Sequence, residues 1–300
     1  MAGTITTGNH PKALWPGMHA FFGLQYTEHP EEWRDIFNVD KSAKNYEEDT
    51  LGTGFGLAPL KTESGAVSYD SETQGFTKRY THNVFGLGYI VTEEENEDNL
   101  YEVLSRRRIK RLAFSGRQTR ELLGANVINR AYNASYTGGD GIVLGSASHP
   151  STSGNQSNIL ATAADFSEAA LEDLVIQIGQ AKNDRGYPVA LLPMKLLHPV
   201  NLQFDVNRVL KSEFTPDSAN NAVNVVRLTG LKPVLNHYLT DTDQWGVITD
   251  CPNGLTWFER RAVNFKTDDD FDTSNMKAKM TFRCSQGWSD WRSFYSSAGA

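Results

Sequence analysis

The side chains able to do chemistry are few, and their spacing argues against most of the reactions they could serve. Seven histidines, at 10, 19, 29, 82, 149, 198 and 237, never take the HxxxH spacing that sets two imidazoles on one helix face. The two cysteines, Cys251 and Cys284, are far apart, so no zinc site is expected. Asp268, Asp270 and Asp272 open like a calcium loop, but the sixth position is Thr273 and the twelfth Lys279. Calcium loops need Gly and Glu there, and the stretch reads as a solvated acidic turn. Ser146, Ser148 and His149 crowd one Ser/Asn-rich loop, whereas triad members come from separate elements, and no GxSxG elbow is present. Gly52-Thr-Gly-Phe-Gly has no third glycine and no helix start after it, and GxxxxGK[ST] is absent, so a hinge is expected rather than a phosphate cradle. No catalytic, cofactor-binding or metal-ligating residue is assigned. The reading from another class is a soluble hydrolase on residues 161–252 that uses His149, His198 or His237 with nearby acids.

One dense basic run remains, Arg106-Arg-Arg-Ile-Lys-Arg. It reads as a solvated helix face paired with acids, or as a phosphate-facing or intersubunit surface. The chain as a whole has 300 residues and a net charge of −7, which argues against a dedicated nucleic-acid binder. Its length allows one large or two ordinary domains with a buried core. Two cysteines build no disulfide framework, which fits a reducing cytoplasm. The first residues lack the basic and apolar regions of a signal peptide, and the longest apolar run, Pro188 to Met194, is too short to span a bilayer. No membrane partner is expected.

The basic run lies on a long helix, expected over Glu93 to Tyr132 with a break or bend near Gly116 or Gly124. Thr92 with Glu95 makes a capping box, and five acids crowd the positive end of the dipole. Its apolar residues form no single stripe. Leu100, Leu104 and Leu122 share a face, Leu112 and Leu123 lie a quarter-turn away, and Phe114 and Tyr132 lie on the other flank. Such a helix is expected to be a beam touching several surfaces.

Residues 1–50 read as an extended arm anchored by aromatics, with a short helix near Glu31–Phe37. A two-stranded excursion follows, with strands expected at Ala66–Tyr69, Gly75–Val84 and Phe85–Val91. A hairpin that long is marginal in water without an outside partner. Beyond the helix come a short strand, Ile142–Leu144, and a helix capped by Asp165 with Glu168, in which Leu171, Leu174, Val175 and Ile178 repeat. Asn183 to Gly186 ends that helix. A buried strand, Val189–Leu192, then a helix, Val200–Lys211, and strands at Val223–Leu228, Pro233–Leu235 and Gly246–Ile248 suggest one α/β unit. Leu255–Phe265 is strand-like, and Met276, Ala278, Met280, Phe282 and Cys284 alternate with polar residues as in a strand buried on one face.

This order of parts resembles the major capsid protein of tailed bacteriophages. Locally the chain is similar to the Mu-like prophage major head subunit branch. The matching stretches are Phe76-Thr-Lys-Arg-Tyr through Gly86-Leu-Gly-Tyr-Ile-Val-Thr-Glu-Glu, and Asp140-Gly-Ile-Val-Leu-Gly-Ser-Ala-Ser-His-Pro. Asn183-Asp-Arg-Gly-Tyr-Pro, Pro233-Val-Leu-Asn-His-Tyr-Leu-Thr-Asp and Gly287-Trp-Ser-Asp-Trp-Arg complete the set.

The resemblance implies an α+β fold of the HK-ninety-seven-like type. Its parts would be an N-terminal arm over 1–54, an E-loop hairpin over 55–91, a P-domain with spine helix over 92–160, an A-domain over 161–252 and returning P-domain strands over 253–300. It implies self-assembly into hexamers and pentamers of an icosahedral shell around double-stranded DNA, held by weak non-specific contact. Scaffold and portal proteins, and in some shells a decoration protein, would be partners. Location would be the virion capsid, assembled in the bacterial host cytoplasm. Some members crosslink an E-loop Lys to a neighbour's Asn; Lys61 and Lys78 lie in the excursion, but no acceptor or catalytic acid is identified, and no crosslink is expected. An encapsulin-like nanocompartment shell is the alternative within the same fold. The Arg106–Arg111 run becomes an intersubunit or lumen-facing contact.

Overall fold

The computed structural model describes residues 22–24, 26, 30–92, 101–214 and 223–299, with backbone alone over 101–106. In chain order the elements are α1 (Trp33–Ile36), β1 (Asn38–Lys41), β2 (Tyr46–Gly52), β3 (Gln74–Thr81), β4 (Asn83–Val91), α2 (Tyr101–Asn129), α3 (Glu168–Gly179), β5 (Pro193–His198), α4 (Gln203–Lys211), β6 (Lys232–Leu235), β7 (Trp245–Thr249), β8 (Leu255–Asp269), β9 (Met276–Trp288) and β10 (Phe294–Ser297). They form two four-stranded sheets, β1-β8-β9-β4 and β10-β7-β5-β6, and the two-stranded ribbon β2-β3.

The alternation over 276–285 builds the first sheet. Met276, Ala278, Met280, Phe282 and Cys284 are all buried, and the last four share one core with α2 and the Trp33, Phe37 and Trp257 rings. The helix is continuous through Gly116 and Gly124, so the expected break is absent. These glycines are instead points of close approach. A Cβ on Gly116 would lie 2.1 Å from the Met280 sulfur, and one on Gly124 would lie 2.8 Å from Trp33 Cβ. The helix also has the single buried stripe that hydropathy denied it: Ile109, Leu112, Ala113, Arg117, Arg120, Glu121, Ala125 and Ile128. Small and charged residues make up much of that stripe, whereas Phe114 and Leu122 face outward. Glu95 of the expected Thr92–Glu95 capping box and the start at Glu93 lie outside the described residues.

The second sheet holds the other core, where Leu171, Leu174 and Ile178 of α3 and Val206 and Leu210 of α4 pack on Leu196, Trp245, Val247 and Tyr295. The α3 cap is Ser167, whose side chain accepts from the Ala170 N–H, rather than Asp165. The strand expected at Val189–Leu192 begins only at Pro193, because a first position needs no donor from proline. Residues 142–144 form no strand, and Val226–Thr229 is a 3-10 turn where a strand was expected. The final strand, β10, pairs with β7, so the stretch 253–300 is divided between the two sheets.

The ascending strand of the excursion is β2, paired with β3, rather than Ala66–Tyr69. Alternation there is weak because both faces of the ribbon are largely exposed. Residues 53–73 form the distal loop.

Glycine to alanine inside an ordinary exposed helix stabilises by about 0.8–1 kcal/mol. Gly124→Ala should instead lose about 1–3 kcal/mol by overpacking Trp33, read as a lower denaturant midpoint. A gain in stability would show that α1 does not seat on the helix.

Candidate assembly surfaces

The four described histidines serve as structural ties. His149 is buried, with Nδ1 2.7 Å from Asp140 Oδ2, Nε2 3.3 Å from Asn158 Oδ1, and its ring stacked 4.4 Å from Trp291. Asn158 passes the connection on, donating to the Leu144 and Phe294 carbonyls. His198 is buried against the Pro199 carbonyl, and burial lowers its pKa. His237 pairs with Glu32 at 2.6 Å. Each imidazole thus has different partners, and none of these is a serine or cysteine nucleophile. His82 does meet two hydroxyls, Ser42 at 3.0 Å and Ser285 at 2.9 Å, but in a buried corner where it stitches the β3–β4 junction to β9.

The arm is seated by two charged neighbours on α2. Both carboxylate oxygens of the fully buried Glu121 accept backbone N–H groups, from Glu32 and Trp33, each at 3.0 Å. These are the unpaired donors at the start of α1, so a side chain from a distant helix supplies the cap that Glu32 lacks. Burial raises the Glu121 carboxyl to about 7, helped by the negative Glu32 and opposed by the backbone donors and Arg117. Beside it, Arg120 reaches Glu259 at 2.9 Å, Tyr26 Oη at 3.1 Å and Glu31 at 3.5 Å. Its guanidinium also lies 4.6 Å from the Trp33 ring and 5.5 Å from the Trp257 ring, within cation–π range. Sequence reading missed this pair. Its only signal was an adjacent Arg-Glu in phase with Leu112, Ala113 and Gly116 on one helix face.

The hairpin is firm at its base and loosely held beyond. Tyr80 Oη bonds Ser289 at 2.7 Å, while Lys78 Nζ donates to the Thr137 carbonyl at 2.7 Å and lies 5.1 Å from the Trp288 ring. Partial burial lowers the Lys78 pKa. Lys61 is exposed in the distal loop. Arg185 ties that loop to the rest of the chain, 2.7 Å from Asp70 and donating to the Ser71 carbonyl at 2.6 Å, and such an exposed ion pair contributes little. Along it Phe55, Leu57 and Val67 are exposed, with Leu60 95% and Tyr69 93% accessible. A second apolar tip, Phe271, projects 98% exposed from the β8–β9 turn.

Of the basic run, Arg107, Lys110 and Arg111 are exposed and Ile109 is buried, so the run lies on the outer flank of the helix, in line with Phe114 and Leu122. The Arg106 side chain lies outside the described set. Among the described residues no helix is long and apolar enough to cross a membrane.

Neither a family model nor a curated protein matches the chain. Solved structures do. One from Mycobacterium phage Adephagia is 11% identical, with 91% of each chain covered and a TM-score of 0.56. One described as the capsid of an empty GTA particle is 10% identical, covers all of this chain and 93% of its own, and has a TM-score of 0.53. One from Microbacterium phage Oxtober96 is 9% identical, with 89% and 90% covered and a TM-score of 0.53. The likeness extends over nearly the whole chain. The fold is α+β of the HK-ninety-seven-like capsid type.

Because folded Glu121 holds its proton up to about 7 against an ordinary 4.5, its contribution to stability falls as pH rises through that interval. Glu121→Gln should flatten the decline in melting temperature between those two pH values, and should lower the melting temperature overall because its amide nitrogen cannot accept one of the two α1 N–H groups. An unchanged slope would show that Glu121 is not the titrating group.

Proposed function

We propose that the chain is a non-enzymatic shell subunit, the major capsid protein of a tailed phage. In this reading many copies close an icosahedral head around double-stranded DNA. The observation that carries it is the distal hairpin: a long excursion with exposed large apolar side chains and little contact with its own chain. A monomer gains nothing from such an element, whereas a neighbour covering it gains apolar burial at roughly 25 cal/mol per Å². Repeated head-to-tail, that contact is heterologous and closes a shell when the rotation allows. The fold shared with phage and GTA structures supports the same conclusion.

Within this reading 1–54 acts as the arm, 55–91 as the E-loop with β2 as its ascending strand, 92–160 and 253–300 as the P-domain, and 161–252 as the A-domain. The stretches around Phe76, Asp140, Asn183, Pro233 and Gly287 support placement in the Mu-like prophage branch. Packaged DNA, scaffold, portal and decoration proteins would be the partners, and the virion capsid the location. The net charge of −7 suits a container that holds DNA without gripping it.

Negative-stain micrographs and light scattering of the expressed protein, with a scaffold protein supplied where needed, should show closed particles. A compact monomer at every concentration would overturn the proposal. Replacing residues 54–72 by a short glycine linker leaves Tyr80, His82 and both cores untouched, so the protein should stay folded and lose assembly. Normal particles from that variant would remove the hairpin from the interface.

A further inference from the structure

The distal loop of the hairpin, residues 53–73, is closed by ties between its two limbs. The Thr53 N–H donates to the Thr73 carbonyl at 3.1 Å, and the Gly54 N–H to a Glu72 carboxylate oxygen at 3.3 Å. Asp70 makes the next tie. Its Oδ2 accepts from the Gly56 N–H at 2.7 Å across the loop, and its Oδ1 from the Ser71 N–H at 2.8 Å. Those backbone donors, with Arg185 beside them, hold the carboxyl below the usual carboxylate range.

Arg185 grips the loop at that crossing. One guanidinium nitrogen lies 2.7 Å from Asp70 Oδ2, and another donates to the Ser71 carbonyl at 2.6 Å. Two-point binding by a planar fork fixes direction as well as distance, which a single ammonium does not. Gly56 leaves room for the approach, since a Cβ there would lie 3.1 Å from Asp70 and 3.3 Å from the guanidinium.

The other end of the grip is rigid. Arg185 stands on the turn 183–187, where Asn183 Oδ1 accepts from the Arg185 and Tyr187 N–H groups and Gly186 takes a φ of +87°. Asp184 fastens that turn to the body: its carboxylate lies 2.8 Å from the buried Arg292, and its carbonyl accepts from the Ser153 N–H. The grip takes only the polar crossing of the loop, and Leu57, Leu60 and Tyr69 stay exposed beside it. A contact that shut the loop away would cover those side chains, whereas this one presents them.

We propose that Arg185 is a positioning residue for assembly, holding the distal loop of its own chain in the direction in which its apolar side chains meet a neighbouring copy. The proposal rests on the shell-subunit reading and adds the residue that orders the loop before contact. A loop ordered beforehand loses less entropy on binding, and apparent affinity scales with the fraction of copies that hold it.

The test compares full-length wild type and variants, first unassembled and then over a concentration series. Wild-type protein that never forms particles would overturn the shell reading, while the unassembled samples read the grip itself. Arg185→Ala should keep the melting temperature, yet protease should cut 53–73 about two- to fivefold faster, the range that an exposed ion pair supplies. The concentration needed for particles should rise by a similar factor. That gap should narrow in about 1 M salt, where the screening length is about 3 Å. Arg185→Lys keeps the charge without the fork and should fall between the two. Cutting of Arg185→Ala at the wild-type rate would overturn the grip. Faster cutting with unchanged or easier assembly would overturn the positioning role.

Discussion

The buried Arg120–Glu121 pair holds together three parts that the chain makes far apart. Glu121 caps α1, Arg120 joins α1 to β8 through Glu259, and both lie on a helix packed against β9. Buried charge is costly unless it is well paired, and removing one partner of such a group typically costs about 3–5 kcal/mol. Here the guanidinium has two carboxylates and a phenol within reach, and two indole rings cover its plane. The arrangement is directional in a way that apolar packing is not. It fixes where the arm leaves the body, and from there β1 runs straight into its pairing with β8.

Much of this architecture was legible in the sequence, for identifiable reasons. Met276 to Cys284 announced a half-buried strand because one face meets the core and the other water. Leu171, Leu174 and Ile178 announced α3 because a single apolar stripe packs on one sheet. Trp33 and Phe37, one helical turn apart, announced the anchor of the arm. The long helix was visible in extent, but its buried face was not. Hydropathy favours large apolar residues, and that face uses Gly116, Gly124, Ala113, Ala125, Arg120 and Glu121, chosen for closeness of approach and for hydrogen bonding. The same blindness turned two close-approach glycines into an expected bend. β2 was missed because a ribbon exposed on both faces has no period to read.

The two kinds of surface on this molecule answer different physical demands. Aromatic anchors and buried ion pairs complete the body, leaving its two cores closed within the described residues. The hairpin and the β8–β9 tip carry apolar groups out into solvent, where a single copy has nothing to cover them. On β8 and β9 Lys266 and Lys279 face each other across the register. The described interior is closed, and exposed apolar groups collect at the periphery. Among the described histidines, His82, His149 and His198 belong to the interior, and His237 pairs with Glu32 at the surface.

The tie between distant segments also has a kinetic side. Tyr80 meets Ser289 across 209 residues of sequence and His82 meets Ser285 across 203, while β1 pairs in parallel with β8. Contacts that distant close large loops before they return any stabilisation, which slows folding. The second core, built from residues 164–250 plus β10, depends on shorter closures over most of its extent. A nascent chain therefore forms the second sheet's helices and strands early, and the first sheet matures late. Since Tyr80 and His82 at the base of the hairpin are pinned to β9 and its end by those late contacts, the hairpin acquires its fixed direction late. A half-folded copy therefore holds its hairpin in no set direction.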